Sequence, residues 1–455
     1  MDASTALDGL WRLAGLPYAA LAHVHLTGTD PVLPSTFHVG TAAQASIAAA
    51  ALAACELGHL RGAVRQDVTV DMTHAALECV EWFSLDGRVP DLWDPFSGLY
   101  ACSDGWVRIH ANFLHHRQGA LRLMGLDPAT AQRADAEAAM RHWRAVDFET
   151  AAANAGLVAT AVRTFGEWDV TPQAQAVACQ PLFTITRIGD AAPRELPALP
   201  EDALPLQGIR VLDLTRILAG PVGGRALAAY GADVLMINRP HLPNIEAIAV
   251  TSRGKLSAHA DLRDAAGREA MNALLAGAHV MVQGYRPGGL RDMGFGPSDA
   301  ATRSPGIVYV SLSAYGAQGP WAGRRGFDSL LQSAMGFNMA EGDGKPRALP
   351  MQILDQATGY LIALGVAAAL VRQQKEGGSW HVEVSLAQTA QWLRSMGRVE
   401  SGLAAGNPDD TLYRQTSASG FGLLQSLRHS AQLSRTPAHW ARPAMPPGSH
   451  PPHWP

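Results

Sequence analysis

The sequence predicts an α/β protein in which a doubly wound parallel sheet is joined to a smaller α+β domain. After residue 206, strands alternate with helices, and the strands are GIRVLDLT, VLMINRP, HVMVQGY and GIVYVSLSAYG. This alternation is typical of parallel sheets with right-handed crossovers. A proline-rich stretch, GDAAPRELPALPEDALPL, precedes the first of these strands and indicates a linker. At 455 residues the chain is too long for one compact core, so we expect two or three domains.

The composition is that of a globular protein, with 47% hydrophobic and 17% charged residues and a formal charge of −4. The sequence has no concentrated Lys/Arg stripe, so we expect no nucleic-acid partner. The acidic start, MDASTALDGLWRLAGL, has no basic segment before its apolar residues and does not resemble a secretory signal. The apolar helix predicted near Leu361 to Val371 is shorter than the roughly 20 residues that span a bilayer. We therefore expect a soluble, cytoplasmic protein with no membrane partner.

Cysteines and histidines give no sign of a metal site. Cys55, Cys79, Cys102 and Cys179 are widely spaced and form no CxxC pair, so we expect buried free thiols. His110, His115 and His116 are close in sequence, but no carboxylate lies at ligand spacing from them.

One arrangement of elements occurs twice. Ser35 to Val80 contains an Ala-rich helix, a polar turn, the strand QDVTVDM and a second helix, and Pro350 to Trp392 has the same order. A gapless alignment places Val68–Met72 on Val382–Leu386. Because internal repeats change the interpretation of a whole fold, we assign residues 1–80 to a degenerate repeat of this module.

Asp355 begins the long apolar helix of the second module. Asp is a preferred N-cap, but a partly desolvated carboxylate at a helix N-terminus is also a usable nucleophile. In the gapless alignment Thr41 occupies the position of Asp355. Thr also caps helices, so the pattern alone leaves both interpretations open.

The remaining segments complete the domain prediction. We assign residues 81–188 to the small α+β domain, in which SGLYAC and WVRIHA form a hairpin around Ser103–Gly105. Helices are expected near residues 117–124, 128–144 and 148–155, followed by the strands LVATAVRT and PLFTITRIG. Residues 189–205 form the linker, an Arg/Lys-bearing loop follows VLMINRP, and residues 397–455 are expected to form an irregular tail.

Sheets of this kind bind ligands beyond the carboxyl ends of their strands. Thr215 to Pro221, Asn238 to Pro240 and Gly284 to Pro287 are expected there. The first of these turns, RILAGPVGG, lacks the G-x-G-x-x-G fingerprint, and Pro221 has no amide to donate. The sequence therefore argues against a nicotinamide dinucleotide site.

Five ordered motifs carry a family resemblance: GIRVLDLTRILAGPVGGRALAAYGADVLMIN, RGKLSAHADLR, VQGYRPGGLRDMGFG, VSLSAYGAQGPWAGRRGFDSLLQSAMG and ILDQATGY. They resemble the family III CoA-transferases, a group that includes formyl-CoA transferase, carnitine CoA-transferase and the α-methylacyl-CoA racemases. The resemblance makes residues 206–396 a Rossmann-like CoA-binding domain that includes the Asp355 helix. Residues 37–197 resemble the later half of the same family. The halves thus stand in a fused, permuted order, and because family members form interlocked dimers, the resemblance implies a homodimer or an intrachain pseudo-dimer.

The resemblance implies an activity and a nucleophile. Asp355 matches the family's aspartate, which attacks an acyl-CoA thioester, forms a mixed anhydride and then an aspartyl-CoA thioester, and passes CoA to an acceptor carboxylic acid. Acyl-CoA would be a substrate, and no tightly bound cofactor is expected. The family's CoA contacts match Ile217, Leu218, Arg239, Ala260, Arg263, Gly284, Tyr285, Met293 and Arg325, and we add Arg286 for its charge. Asp292 departs from the pattern, because family members carry Arg there.

Two alternatives accompany the transferase hypothesis. The racemases carry His in place of Phe327, and Phe cannot move a proton, so racemisation is disfavoured. A CoA-binding subunit or remnant without turnover, which needs a partner for its missing parts, is the other alternative. No counterpart of the Gly-rich lid of some family transferases is evident, and the sequence names neither the acyl donor nor the acceptor acid.

Overall fold

The computed structural model describes residues 1–455, and its first part is a helical module around one long helix. Asp2 caps the first helix by accepting from the Thr5 amide, and Gly15 ends it with φ 69°. The two strands of the module pair in parallel. The elements are α1 (Ala3–Ala14), β1 (Val24–Thr27), α2 (Val39–Leu60), β2 (Val68–Asp71) and α3 (Met72–Val80).

The small α+β domain follows, with its own apolar core around Tyr100, Phe148 and Met140. Its central sheet is antiparallel, and the predicted hairpin is present as β4 and β5. The helix expected over residues 128–144 is shorter, because it begins only at Arg133. The elements are β3 (Phe83–Leu85), β4 (Gly98–Ala101), β5 (Trp106–Ile109), α4 (Leu114–Leu123), α5 (Arg133–Met140), α6 (Ala145–Asn154), β6 (Ala159–Ala161), α7 (Phe165–Asp169), α8 (Pro172–Ala178) and β7 (Phe183–Gly189).

The third part confirms the predicted α/β fold class. It contains β8 (Arg210–Leu214), α9 (Ala219–Ala229), β9 (Asp233–Asn238), α10 (Ile248–Thr251), β10 (Lys255–His259), α11 (Ala265–Gly277), β11 (Val280–Gln283), α12 (Pro297–Arg303), β12 (Val308–Ser313), α13 (Asp328–Ala334), α14 (Phe337–Glu341), α15 (Ile353–Glu376), β13 (Ser379–Ser385) and α16 (Leu386–Ser395). The seven-stranded sheet has the order β10-β9-β8-β11-β12-β13-β7. Neighbouring strands are parallel except for β7, which pairs antiparallel with β13.

Two element predictions in this region are wrong. The segment after VLMINRP is not only a loop, since Lys255–His259 forms edge strand β10. The strand begins with a lysine, and this Lys255 side chain is fully buried in an ion pair. Strand β7 was assigned to the small domain, but it hydrogen-bonds to β13 in the large sheet. The N-terminal half of the chain thus supplies an edge strand to the C-terminal half.

The tail was expected to be irregular, and this expectation is also wrong. It forms strands β14 (Arg414–Ser419), β15 (Gly422–Leu427) and β16 (Gln432–Leu433). The hairpin of β14 and β15 pairs with β3, and β16 pairs with β2. The pairings that join β15 and β16 to the rest of the protein are with β3 and β2, more than 300 residues earlier in the chain, and weak local periodicity does not reveal such pairings.

The two modules have matching element starts. Helices α2 and α15 begin at Val39 and Ile353, and α3 and α16 begin at Met72 and Leu386. Both pairs are separated by 314 positions, which is the offset of the gapless alignment. Helices α2 and α15 pack against each other within one continuous apolar core.

These two helices are longer than the sequence indicated. At 22 and 24 residues, α2 and α15 are long and apolar enough to cross a membrane, so the prediction of a short apolar helix was wrong. Their most apolar windows are, however, completely buried inside the protein. An all-round apolar helix in this setting is a core helix.

Helix α9 approaches α15 at a pair of glycines. A Cβ atom on Gly359 would lie 2.7 Å from the Ala219 carbonyl oxygen and 2.6 Å from Val222 Cγ1. One on Gly223 would lie 2.9 Å from the Gly359 carbonyl oxygen. Since only glycine permits this contact, the two positions set the distance between the two helix starts.

We predict that Gly359→Ala lowers the free energy of unfolding by about 1–3 kcal/mol, the usual cost of overpacking a close contact. Chemical denaturation monitored by circular dichroism measures the change. Gly9→Ala is the matched control, because Gly9 is helical with nothing within 4 Å of an added Cβ. That change should stabilise by about 0.5–1 kcal/mol. An equal effect of the two substitutions would contradict the packing argument.

Candidate active site

Asp355 lies where the N-termini of three helices meet. It is the third residue of α15, whose N-cap is Gln352, so the interpretation of Asp355 as an N-cap is wrong. The backbone N–H of Ala219, the first residue of α9, favours the ionised form of the Asp355 carboxyl. Helix N-termini favour negative charge through their free N–H groups.

Asp328, the first residue of α13, caps the helix that carries Asp355. Its Oδ2 accepts from the Asp355 backbone N–H at 2.9 Å, and the Leu354 N–H is a second donor. The Gln332 side chain also donates to Asp328, at 2.6 Å. Asp328 is fully buried and Asp355 is 8% exposed. Two carboxyl groups thus share a site with little water.

This environment raises the pKa of both groups. Burial raises the pKa of Asp355 well above its usual range, and the neighbouring Asp328 and Glu81 carboxyls add to the effect. Burial likewise raises the pKa of Asp328 to about 7, although three hydrogen bonds oppose it. Glu81 follows α3, in the other half of the chain, and is ion-paired with Arg225 at 2.6 Å. Both halves therefore contribute to the electrostatics of Asp355.

The turn between β8 and α9 is strained where it aims the Ala219 amide. Ile217 has φ 76°, which is rare for a β-branched residue. Such strain is found mainly where function requires a particular backbone direction. A buried ion pair at 2.9 Å between Lys255 and Asp213 fixes both ends of the turn: Asp213 accepts from the Thr215 amide, and Lys255 donates to the Pro221 carbonyl.

The structure places the predicted CoA contacts along one edge of the sheet. Ile217 and Leu218 follow β8, Arg239 follows β9, Ala260 and Arg263 follow β10, and Gly284, Tyr285 and Arg286 follow β11. Met293 and Tyr285 are both partly buried and pack against the same apolar core. Arg263 is mostly exposed and ion-paired with Asp261, whose pKa is lowered to about 2 mainly by that contact. Asp292 is exposed beside Arg291.

Several arginines at this edge have no acidic partner. Arg239 and Arg286 make no side-chain hydrogen bond or ion pair within the protein. Arg216, which the sequence analysis did not single out, bonds to the Pro243 carbonyl. Burial lowers the pKa of Arg216, and the Arg239 charge lowers it further. Uncompensated cations at strand ends are suited to bind an anion.

The small domain closes over this edge from one side. Arg325 donates to the Gly156 carbonyl at 2.9 Å and lies 3.0 Å from His116 Nε2. Phe327 stacks on His110 with ring centroids 4.0 Å apart. His115 contacts His116. Burial lowers the pKa of His115, and the charges of Arg325 and Arg216 lower it as well. The three histidines thus line the junction of the two domains.

The first module has a helix start of the same design without the second carboxyl. Asp30 Oδ2 accepts from the Thr41 amide at 3.0 Å and from its hydroxyl at 2.7 Å. Thr41 therefore does not cap the helix but donates hydrogen bonds to Asp30. A carboxylate at position 41 could not donate the side-chain hydrogen bond to Asp30. Thr41 itself has no carboxylate that could accept an acyl group.

The thiols differ partly from the prediction. All four cysteines are free, and Cys55 and Cys79 are buried, but Cys102 is partly exposed and Cys179 is exposed. Burial raises the pKa of the Cys55 thiol to about 12, so this thiol is unreactive at neutral pH.

Comparison with known proteins identifies the family. The profile of CoA-transferase family III matches residues 14–193 and 206–425. The chain belongs to this family.

The relatives are only partly covered. An acyl-CoA transferase of Gibberella moniliformis is 29% identical over 417 residues, which are 81% of this chain and 73% of the relative. A probable fatty acyl-CoA transferase of Mycobacterium tuberculosis is 34% identical over 209 residues, 42% of this chain and 53% of that protein. The crystal structure of a CaiB/BaiF family protein from Brucella suis matches at 27% identity and a TM-score of 0.40, over 49% of this chain and 65% of that one. The chain thus spans about half to three quarters of the length of these relatives.

We predict that Asp355→Asn stabilises the fold at alkaline pH. The unfolded carboxyl titrates near pH 3.9, whereas the folded group keeps its proton to higher pH, so the free energy of unfolding of the native protein falls as pH rises between the two pKa values. Asn removes this loss, and the expected gain is on the order of 1–3 kcal/mol at about pH 8.

Thermal unfolding between about pH 5 and pH 8 measures the effect, since that range lies above the unfolded pKa. Asp292→Asn, at an exposed position, should leave the pH dependence unchanged. A larger gain at the acidic end than at the alkaline end would contradict a raised pKa at Asp355.

Proposed function

We propose that this protein transfers coenzyme A from an acyl-CoA to a carboxylic acid, with Asp355 as the nucleophile. The observation that carries the proposal is a buried carboxyl at three converging helix starts, beside an edge of the sheet that holds unpaired arginines. Family membership supports the same reaction class.

The proposed reaction passes through two covalent intermediates on Asp355. A carboxylate oxygen of Asp355 attacks the thioester carbon of the acyl-CoA, the C–S bond breaks, and a mixed anhydride and a CoA thiolate result. The thiolate attacks the Asp355 carbonyl carbon and releases the donor acid as its carboxylate, which leaves an aspartyl-CoA thioester. The acceptor carboxylate then repeats the two exchanges in reverse, so acyl-CoA of the acceptor leaves and the Asp355 carboxylate is regenerated. Covalent catalysis of this kind divides one difficult exchange into easier steps.

The chain's own groups assist at defined points. The Ala219 N–H, which favours the ionised form of Asp355, would stabilise the oxyanion of each tetrahedral intermediate. The raised pKa of Asp355 makes its anion a stronger nucleophile once it forms. The arginines at the edge of the sheet would neutralise the CoA phosphates. Binding of CoA would therefore add no net negative charge near Asp355.

CoA binding is proposed along the carboxyl ends of β8 to β11. Its phosphates would contact arginines, which bind phosphate bidentately, and its arm would pass the apolar turn before α9. The proposed contacts carried over from the sequence analysis are Ile217, Leu218, Arg239, Ala260, Arg263, Gly284, Tyr285, Arg286, Met293 and Arg325. We add Arg216, which lies in the same turn as Ile217.

We further propose that one chain forms an intrachain pseudo-dimer with one active carboxylate. Strand β7 extends the large sheet, Glu81 acts on Asp355, and the two matched segments flank the linker at residues 189–205. Asp355 in one module and Thr41 in the other are consistent with one working site. A cytoplasmic location fits the completely buried apolar helices and the free thiols.

The alternatives are weaker on specific grounds. At the position of a racemase's acid/base His, Phe327 stacks on His110, and burial lowers the pKa of His110 to about 3. Neither ring is suited to deliver a proton near neutral pH. A CoA-binding remnant without turnover would not need a buried, destabilising carboxyl pair. It is the alternative outcome of the hydroxylamine experiment.

We predict that incubation with acyl-CoA and hydroxylamine converts Asp355 to its hydroxamate, because hydroxylamine intercepts both the anhydride and the thioester. Peptide mass spectrometry locates the product. Asp355→Asn should give no hydroxamate, and the peptide that contains Thr41 should remain unmodified. CoA binding without modification across a panel of acyl-CoAs would favour the remnant instead.

We predict that Asp328→Asn shifts the acid limb of the pH profile of kcat/KM to lower pH. Asn still accepts from the Asp355 amide but removes a neighbouring negative charge, so the pKa of Asp355 falls and its anion forms at lower pH. Steady-state kinetics over pH measure the shift. A shift in the opposite direction would show that Asp328 does not raise the pKa of Asp355.

A further inference from the structure

A second cavity, here named the tail cavity, lies beneath the C-terminal tail. Its volume is about 520 Å³, which is within the range of small-molecule pockets, about 300–1,000 Å³. Its walls come from α3, from the turn after α10, from β14 and from the tail between Arg428 and Ala444. None of the predicted CoA contacts lines it. The tail cavity is therefore separate from the proposed CoA site.

The charges that line the tail cavity have one sign. Three arginines and three histidines line it, and no Asp or Glu side chain does. Arg442 is paired with Asp233 at 2.8 Å. Arg253 and Arg428 have no acidic partner and donate only to backbone carbonyls and to one serine hydroxyl. Because a cleft lined by charges of one sign concentrates the opposite ion, this cavity is suited to bind an anion.

Arg253 is the buried anchor of the tail cavity. It is 4% exposed, and its guanidinium lies 3.7 Å from the ring centroid of Trp440. Its Nε donates to the Val250 carbonyl at 3.1 Å, and its Nη1 donates to the Ser426 hydroxyl and the Leu427 carbonyl, both at 2.9 Å. The Nη2 group makes no hydrogen bond within the protein. Burial lowers the pKa of Arg253 to about 9, so the group remains a cation at neutral pH.

The buried carboxylates near this anchor are already engaged by other groups. Glu78 accepts from His429 Nδ1 and from the Tyr360 hydroxyl, both at 2.9 Å. Glu81 is paired with Arg225 at 2.6 Å. Neither carboxyl lies within salt-bridge distance of the anchor guanidinium. Since a buried charge normally has a counter-ion, the chain leaves this position to an anion from solution.

The wall of the tail cavity is held in place by a glycine turn. Gly254 has φ 79°, and a Cβ atom there would lie 2.8 Å from Trp440 Cδ1 and 2.9 Å from Ala228 Cβ. The Gly254 amide donates to the Arg442 carbonyl at 2.9 Å, and the Trp440 indole N–H donates to the Arg225 carbonyl at 3.0 Å. The cavity is thus formed before a ligand arrives, which lowers the entropic cost of binding.

We propose that the tail cavity binds a phosphate group, present either as inorganic phosphate or as a phosphate monoester. A phosphate monoester carries close to two negative charges at neutral pH and has three acceptor oxygens. This charge matches the two arginines without acidic partners, and arginine binds phosphate bidentately. The hydroxyls of Thr416 and Ser417 line the same cavity and make no hydrogen bond within the protein. A single carboxylate would leave one of the two cations uncompensated. The site does not depend on the reaction proposed at Asp355.

The test measures binding of inorganic phosphate and of glycerol 3-phosphate by isothermal titration calorimetry at constant ionic strength, with glycerol as the ligand without phosphate. We expect saturable binding of at least one phosphate ligand and none of glycerol. Arg428→Gln should weaken this binding about tenfold or more, as loss of a charge-assisted contact does. Arg435→Gln is the matched control and should leave the affinity unchanged, because Arg435 lies in the same tail, outside the cavity, and is paired with Glu201 at 3.2 Å.

Two further variants locate the bound phosphate. Arg253→Lys keeps the charge but removes the planar fork, so it should weaken phosphate binding while circular dichroism shows an intact fold. Arg286→Gln, at the edge of the large sheet, should leave phosphate binding unchanged. Tighter binding of glycerol 3-phosphate than of phosphate would assign the site to a monoester, and the reverse would assign it to the free ion.

Three results would overturn the proposal. The first is the absence of saturable binding of either phosphate ligand to the wild-type protein. The second is equal affinity of the wild type, Arg428→Gln and Arg253→Lys, which would leave Arg253 with a purely structural role. The third is loss of binding in Arg286→Gln, which would assign the phosphate to the proposed CoA site.

Discussion

The close approach of α9 to α15 is the contact on which the site depends. Gly223 and Gly359 let the two helices approach so closely that the first amide of α9 favours the ionised form of the Asp355 carboxyl. The Lys255–Asp213 ion pair then fixes the turn that precedes α9. Core packing and backbone direction are thus coupled, because a shift of either helix would move the Ala219 N–H relative to the Asp355 carboxyl.

Charge is arranged in two zones around this contact. The carboxyls of Asp355, Asp328 and Glu81 lie in the interior, where Asp328 and Glu81 raise the cost of ionising Asp355. The arginines without acidic partners, Arg216, Arg239 and Arg286, lie at the edge of the sheet. Without an anion, both zones are unfavourable. In the proposed reaction a negatively charged thioester would neutralise the outer zone and bring an electrophile to the inner one.

The sequence predicted much of the fold from local pattern. Alternating strands and helices predicted the parallel sheet, and the gapless alignment of Thr41 with Asp355 matched helix starts that the structure places at the same offset. Features that depend on distant contacts were not predicted. Strand β7 pairs across the linker, the tail strands pair with residues near the start of the chain, and Lys255 is buried by an ion pair that no local period records.

The candidate site divides in the same way. The family resemblance pointed to Asp355 and to Arg239 after β9, and charge added Arg286 after β11. Asp328 was passed over because it precedes Asp355 by 27 residues and a single Asp in RGFDSLLQ is typical of a surface charge. Its adjacency to Phe327 was the available signal.

The linker at residues 189–205 joins the two halves that surround Asp355. Its ordered course includes hydrogen bonds from Arg61 to the Pro197 and Pro205 carbonyls. Since the small domain, β7 and the large sheet belong to one polypeptide, their association is a unimolecular event with a fixed effective concentration. The enclosure around Asp355 is therefore retained on dilution, at protein levels where an enclosure formed between separate chains would dissociate.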